Sequence, residues 1–424
     1  MPPLLIFKFG GVSVQDASAI KNTTSIIKKF AVANRLLLVI SAMGKMTNAL
    51  EELHKQYFTK KNFTAEFEKV KAYHRSIVKE LFSETVHPVY DELENLFVEM
   101  EWHLEEEPSN DYDLSYDQLV SFGELISTKI ISQYLNKTAV NTKWVDARSF
   151  IQTDNTYRDA RVNWALTEKL IVRDIPGFLE KQVVLTQGFI GGTSENFTTT
   201  LGREGSDFTA AIFAKCLKAD SINIWKDVRG ILNADPKLFP GTVKYEHLSY
   251  HQMIEMAYYG ASVIHPKTIK PLVDAHIPLH VKCFKTPDEK GTIVDETPEE
   301  YITPAIILKK KQCLFSLSAK DYSFITEKNL SHIFDTAFRF KLKINLMQNS
   351  AISFSVCVDG QTGKHKDFYN FLHKDFHVLF NKDLELLTIM HYHDDLINKH
   401  THGKEILLVQ KTRHTFQAVT KVGV

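Results

Sequence analysis

The chain has 424 residues, enough for one large domain and a smaller one, and its 44% of hydrophobic residues can bury a sizeable core. Its 51 Lys plus Arg balance 51 Asp plus Glu, which argues against nucleic acid as a partner. The four cysteines form no Cys-x-x-Cys pair, residues 4–7 are too short for a signal-peptide core, and no apolar run nears the roughly 18–20 residues that span a bilayer, so no membrane association and a cytoplasmic location are expected.

Residues 4–9 read as a buried strand that ends at Gly10-Gly11. A helix follows over 16–31, with Ile20, Thr24, Ile27 and Ala31 on one face. Residues 36–40, Leu-Leu-Leu-Val-Ile, show the continuous hydrophobicity of a strand covered on both faces. The first forty residues therefore predict a βαβ unit. Residues 49–107 are helical in pattern and rich in charge, a helical subdomain closed by Pro108-Ser109-Asn110-Asp111. A single helix is expected over 117–137, apolar along Leu119, Phe122, Ile126, Ile130 and Tyr134, with Ser121, Glu124 and Thr128 on a more polar face. Strands at 140–145 and 182–189 flank a helix at 159–172. A short helix at 208–217, a strand at 221–225, helices at 250–259 and 267–275 and a strand at 279–283 complete the pattern. This alternation predicts a doubly wound α/β domain with a mostly parallel sheet, ending near residue 296.

The acidic, proline-bearing stretch 295–304 marks a domain boundary. Beyond it, strands are expected at 305–308, 313–317, 344–346, 352–358 and 384–390, with helices at 323–340 and 366–373. That is a small α+β arrangement. Residues 391–403 read as too short and polar for a full helix, and 404–422 as a hairpin. His391, His393, His400 and His402 suggest a metal, but a solvated strand end and loop accounts for them better, and no protein-bound metal is expected.

Three stretches carry chemistry. In Lys8-Phe9-Gly10-Gly11-Val12-Ser13 a strand ends, two glycines turn and a helix begins. The glycines let backbone N–H groups approach a phosphate, and a lysine at the strand edge can reach a transferred phosphoryl group. The pattern is not a Walker A loop, which requires Gly-Lys-Ser/Thr. The second stretch runs from Gly188 through Gly191-Gly192-Thr193 to Gly202-Arg203-Glu204-Gly205-Ser206-Asp207. It is dense in glycines and hydroxyls and leads into a helix, a setting that holds anions. Arg203 suits two-pronged capture of a carboxylate, and Asp207 suits the orientation of a lysine or a metal. The third, Trp225-Lys226-Asp227 with a return through Asp235-Pro236-Lys237, lies at the carboxyl end of a predicted strand, where α/β sheets bind ligands.

Together these stretches resemble the aspartate kinase family within the wider amino-acid kinase fold. The resemblance continues in Ser41-Ala42-Met43-Gly44-Lys45-Met46-Thr47-Asn48, in Ser121-Phe122-Gly123-Glu124-Leu125-Ile126-Ser127-Thr128 and in Tyr259-Gly260-Ala261-Ser262-Val263-Ile264-His265-Pro266, in family order over residues 4–294. It implies an αβα sandwich with a mostly parallel sheet as the catalytic domain (1–296), then a smaller ferredoxin-like ACT regulatory region (304–424) whose second module is abbreviated. It implies ATP-dependent phosphorylation of the side-chain carboxylate of L-aspartate, the entry to lysine, threonine and methionine synthesis, with Mg²⁺ carried by the ATP phosphates. A homodimer or higher homo-oligomer through the ACT-like region is expected, and no fused homoserine dehydrogenase.

By the same resemblance Lys8 and Asp207 are catalytic. Ser41, Thr47, Glu124, Arg203, Glu204, Gly205 and Ser206 contact aspartate. Lys8, Phe9, Gly10, Gly11, Lys226, Asp227, Leu232, Lys237, Ser262 and Val263 line the nucleotide site. The chain departs from the family at Val12 and Lys226 (commonly threonine), Glu204 (commonly glycine), Leu232 (commonly tyrosine) and Ser262 (commonly lysine). Glu204 adds an acid beside an anion site and is tolerable only if it points away or pairs with a cation. Lys226 is a candidate to replace the charge that Ser262 lacks. Two other readings are a kinase for another acidic amino acid such as glutamate, and a non-catalytic amino-acid sensor of the same fold.

Overall fold

A computed structural model describes the chain except for residues 85, 262, 298–302, 322, 361, 362 and 422–424. The chain divides into two units: residues 1–231, 244–254 and 263–299 form one, and 232–243, 255–262 and 300–424 the other.

The first unit is built on strands β1 (Leu4–Phe9), β2 (Arg35–Ile40), β3 (Thr142–Trp144), β4 (Val183–Gln187), a β5–β6 hairpin (Ile190–Gly192 and Thr198–Thr200), β7 (Ser221–Lys226), β8 (His247–Ser249), β9 (Leu279–Cys283) and β10 (Thr292–Asp295). Eight of them form one sheet in the order β3-β4-β2-β1-β7-β9-β10-β8, parallel throughout except between β9 and β10. β2 and β4 are buried along nearly their whole length, as continuous apolar runs require when helices cover both faces. The helices are α1 (Ala17–Ala31), α2 (Met46–Phe58), α3 (Thr64–Leu81), α4 (Pro88–Glu105), α5 (Tyr112–Val120), α6 (Phe122–Lys137), α7 (Trp164–Leu179), α8 (Gly205–Leu217), α9 (Tyr250–Tyr259, whose second half, 255–259, belongs to the second unit) and α10 (Pro266–Ala275).

Two helices differ from expectation for local reasons. The single helix expected over 117–137 is two. α5 starts earlier, where the Asp111 carboxylate caps the N–H groups of Asp113 and Leu114. It ends at Ser121, whose hydroxyl donates to the Gln118 carbonyl in competition with the helix ladder. α7 starts at Trp164 instead of near 159, capped by Asn163, because Asp154 draws residues 154–161 into a turn through the N–H groups of Thr156 and Arg161. The helical stretch at 49–107 is three helices, α2 to α4.

The second unit carries one antiparallel six-stranded sheet, ordered β12-β13-β11-β14-β16-β15, from β11 (Ala305–Ala319), β12 (Ile344–Asn349), β13 (Ser353–Asp359), β14 (Phe376–Met390), β15 (Ile406–Lys411) and β16 (Thr415–Lys421), with helices α11 (Glu327–Arg339), α12 (Lys364–Leu372) and α13 (Asp394–Thr401). The two strands expected at 305–308 and 313–317 are halves of β11, joined across a bulge near Lys311, whose φ is +56°. β11 and β14 are each 15 residues long and pair along their length, so two ferredoxin-like halves share one sheet.

Contrary to expectation, a two-turn helix does form within residues 391–403, over 394–401. α13 has Asp394 and Asp395 in its first turn and Lys399 and His400 in its last, the order that the helix dipole favours. Its Leu396 and Ile397 pack on Ile306, Leu387, Ile389 and Phe416. No helix among the described residues is long and apolar enough to cross a membrane.

Candidate active site

A cleft of about 540 Å³ opens in the first unit at the carboxyl ends of β1 and β2. Lys8 sits near the end of β1, between Val39 of β2 and Ile224 of β7, and is 7% exposed. The two loops that follow β1 and β2 touch through backbone: the Gly44 N–H donates to the Gly11 carbonyl at 3.0 Å. A Cβ on Gly11 would lie 2.6 Å from the Gly44 carbonyl oxygen and 2.9 Å from that of Ala42, so only glycine fits there.

The opposite wall is the start of α8. Glu204 precedes it in a left-handed conformation (φ +55°), and Gly205, Ser206 and Asp207 form its first turn. Gly188, just after β4, packs directly on this turn, since a Cβ there would meet Ser206 Cβ at 2.5 Å.

Asp207 is fully buried. Its Oδ1 lies 2.7 Å from Lys8 Nζ and its Oδ2 3.2 Å from Lys226 Nζ. Burial opposes its ionisation, but the two ammonium groups outweigh it and hold the carboxyl below the usual carboxylate range. Lys226 also lies 3.8 Å from Glu204 Oε2 and donates to the Val263 carbonyl.

On the polar face of α6, Glu124 Oε1 accepts from the Ala42 N–H at 3.2 Å, and Ser127 Oγ donates to the Ser41 carbonyl at 2.8 Å. Glu124 is 2% exposed, lines the cleft, and its Oε2 has no hydrogen-bond partner among the described residues. Burial pushes its pKa up to about 8, against the opposing pull of the Ala42 N–H, its own N–H and Lys8.

Lys8, Gly11, Ser41, Thr47, Glu124, Arg203, Glu204, Gly205 and Ser206 thus share one cleft wall to wall. Asp207 stands behind it through Lys8. Phe9 does not face it: its ring is buried and stacks on Trp225. Gly10 follows β1 and carries the carbonyl that Ser13 Oγ bonds at 2.7 Å. Asp227 is exposed after β7, Leu232 and Lys237 belong to the second unit, and Ser262 lies outside the described residues.

The cleft also contains Glu51, Tyr116 and Arg158, which sequence reasoning passed over, and Asn48, Phe189 and Thr200, which lie in the recognised stretches but were given no role. Arg158 has φ +65°, and its guanidinium lies over the Tyr116 ring, 4.3 Å from the centroid. The Tyr116 hydroxyl donates to Glu51 at 2.5 Å. Behind them Asp117, with no exposure, accepts from the Arg158 N–H (3.0 Å), the Thr200 N–H (2.7 Å) and Thr200 Oγ1 (2.7 Å). An aspartate in the apolar run of α5 was the available signal for this clamp. Nothing in the sequence places residue 158 opposite it.

A model of the amino acid kinase family matches residues 3–283. The lysine-sensitive aspartokinase 3 of Escherichia coli (strain K12) is 31% identical over 362 residues, covering 85% of this chain and 79% of that protein. The chloroplastic aspartokinase 2 of Arabidopsis thaliana is 32% identical over 375 residues, covering 84% of this chain and 66% of the plant protein. Among solved structures, E. coli aspartokinase III in complex with aspartate and ADP (R-state) superposes with a TM-score of 0.84 at 26% identity, covering 99% of this chain and 96% of that one. The same enzyme with lysine and aspartate (T-state) gives 0.81 at 26% identity, covering 98% and 95%. The chain belongs to the amino acid kinase family and, within it, to the aspartokinases.

Proposed function

We propose that this aspartokinase-family chain transfers the γ-phosphoryl group of ATP to the side-chain carboxylate of L-aspartate, giving 4-phospho-L-aspartate and ADP. The observation that carries the reading is the unpartnered, buried Glu124 Oε2 facing the same cleft as Lys8. A substrate with an α-ammonium for Glu124 and an anionic group for Lys8 completes both.

The nucleophile has a reference pKa of about 3.9 and is already ionised at neutral pH, so no general base is needed. What remains is to bring an anion against a polyanion and align the two. In this reading Glu124 binds the α-ammonium and Arg203 the α-carboxylate. Ser41, Thr47, Gly205 and Ser206 line the aspartate pocket. Lys8 stabilises the transferring phosphoryl group, with Asp207 fixing its ammonium from behind. Phe9, Gly10 and Gly11 contribute backbone to the nucleotide side, together with Lys226, Asp227 and Val263.

For Mg²⁺, no group of three or more His, Cys, Asp or Glu side chains among the described residues has the arrangement to hold an ion, and both Asp207 oxygens are engaged by lysines. In this reading the ion is carried by the nucleotide phosphates, where it neutralises phosphate charge.

Residues 1–296 serve as the catalytic domain and 304–424 as an ACT-like regulatory region in this account. The exposed Met347 on the sheet-edge strand β12 and the exposed Phe338 near the end of α11 support a homo-oligomer made through that region. The reaction opens lysine, threonine and methionine synthesis, and a cytoplasmic location suits its free, buried cysteines. Hydroxylamine trapping tests the proposal: with ATP and Mg²⁺, L-aspartate yields a hydroxamate and L-glutamate does not. Glutamate-only or no trapping overturns it.

A further inference from the structure

Four charges of alternating sign are linked in succession at the start of α8: Lys8, Asp207, Lys226 and Glu204, with successive separations of 2.7, 3.2 and 3.8 Å. Asp207 is fully buried, so its charge is poorly screened by solvent. Burial works against a charge on Lys226, but Asp207 and Glu204 outweigh it and keep the ammonium protonated. Glu204 lines the cleft, and its left-handed backbone is fixed by the turn that opens α8. Without Lys226, Asp207 would keep only Lys8 and Glu204 would lose its ion pair, in a cleft that has to admit two anions.

We propose that Lys226 is a positioning residue with two separable duties: it holds Asp207 in the orientation that presents Lys8, and it cancels the Glu204 carboxylate so that the nucleotide is not repelled. The first duty acts on the transferring group and belongs to kcat. The second acts on approach of the polyanion and belongs to the KM for ATP. The inference rests on the kinase reading above for its substrates. It explains how an acid persists at a position that the local backbone would give to glycine: Lys226 supplies the matching charge on the adjacent strand end.

The test is a double-mutant cycle of Lys226→Met and Glu204→Gln, read as kcat and KM for ATP separately. Lys226→Met is expected to raise KM about tenfold and to lower kcat by a similar factor, in line with loss of a partly buried charge partner. Glu204→Gln added to it should return KM to within about twofold of wild type while kcat stays low. Loss of a purely structural lysine would lower kcat and raise KM with no recovery of either from a neutral residue at 204. Glu204→Gln alone removes a charge that Lys226 already cancels, so it should lower KM by no more than about twofold, far less than the recovery it gives beside Lys226→Met. If the two substitutions multiply independently, or if Glu204→Gln raises KM, the proposal is overturned. Equilibrium binding of a non-hydrolysable ATP analogue without aspartate repeats the KM comparison, so failure of the pair is distinguishable from failure of the aspartate assignment.

Discussion

The Ala42 N–H donates to one oxygen of the Glu124 carboxylate at 3.2 Å, and the other oxygen, equally buried, is left without a hydrogen-bond partner among the described residues. A lone buried carboxylate oxygen is unfavourable unless a ligand completes it or a proton occupies it. With its pKa raised by burial from 4.5 to about 8, Glu124 is mostly protonated at neutral pH in the free protein. A substrate ammonium would drive it to the carboxylate. Binding of L-aspartate should therefore release close to one proton near pH 7 and little above pH 9, measured by calorimetry in buffers of different ionisation enthalpy. Glu124→Gln should abolish the release and weaken aspartate binding by roughly 100-fold.

The same residue sets a pH dependence of stability. A carboxyl whose folded pKa lies above its unfolded value favours the folded state at low pH, and that contribution is lost as pH rises from about 4.5 through about 8. Glu124→Gln should consequently gain stability relative to wild type between pH 5 and pH 9 in denaturant titrations. A constant difference across that range would show that the carboxyl does not titrate there.

Lys8→Ala should lower kcat by at least about 100-fold, since the phosphoryl group loses its one buried cation from β1. The fold should survive, because Asp207 keeps Lys226 at 3.2 Å. Circular dichroism should match wild type while turnover is lost. Near-normal turnover would remove Lys8 from the catalytic role.

These roles were legible in the sequence to the extent that local chemistry dictates them. Glycines next to a strand end, a lysine on that strand and an acid in the first turn of a helix announce an anion site, and the alternation of apolar runs announces the sheet. What the sequence withheld depends on long-range placement. The partner of Lys226 is decided by the packing of β7 against α8. The Arg158 turn is held by an aspartate 41 residues earlier. The break at Ser121 hinges on one side-chain hydrogen bond that periodicity cannot see. The helix at 394–401 was hidden because its apolar face is only Leu396 and Ile397, and its partners lie in β11, β14 and β16.

Asp117 offers a test of the clamp behind the cleft. It makes three hydrogen bonds of 2.7 to 3.0 Å to Arg158 and Thr200, and burial pushes its pKa up to about 6 despite those donors. Asp117→Ala should cost about 2–3 kcal/mol of stability and raise the KM for aspartate more than it lowers kcat. An unaltered KM would separate the Arg158 turn from substrate binding.

Gly11→Ala should be among the most damaging single-methyl additions, because the new Cβ would meet two carbonyl oxygens within 3 Å with no flexible side chain to move aside. Loss of activity should exceed that of Gly177→Ala, whose Cβ would meet nothing within 4 Å. Equal effects at the two glycines would contradict the close contact between the β1 and β2 loops.

L-Aspartate offers two carboxylates to the phosphoryl group, and the assigned site delivers it to the side chain. Borohydride reduction of the product formed from L-aspartate and ATP reads this directly, because an acyl phosphate is reduced to an alcohol at the carbon that carried it. Phosphorylation of the side chain predicts homoserine as the reduced product. Recovery of 3-amino-4-hydroxybutyrate, or of unreduced aspartate alone, would contradict the account.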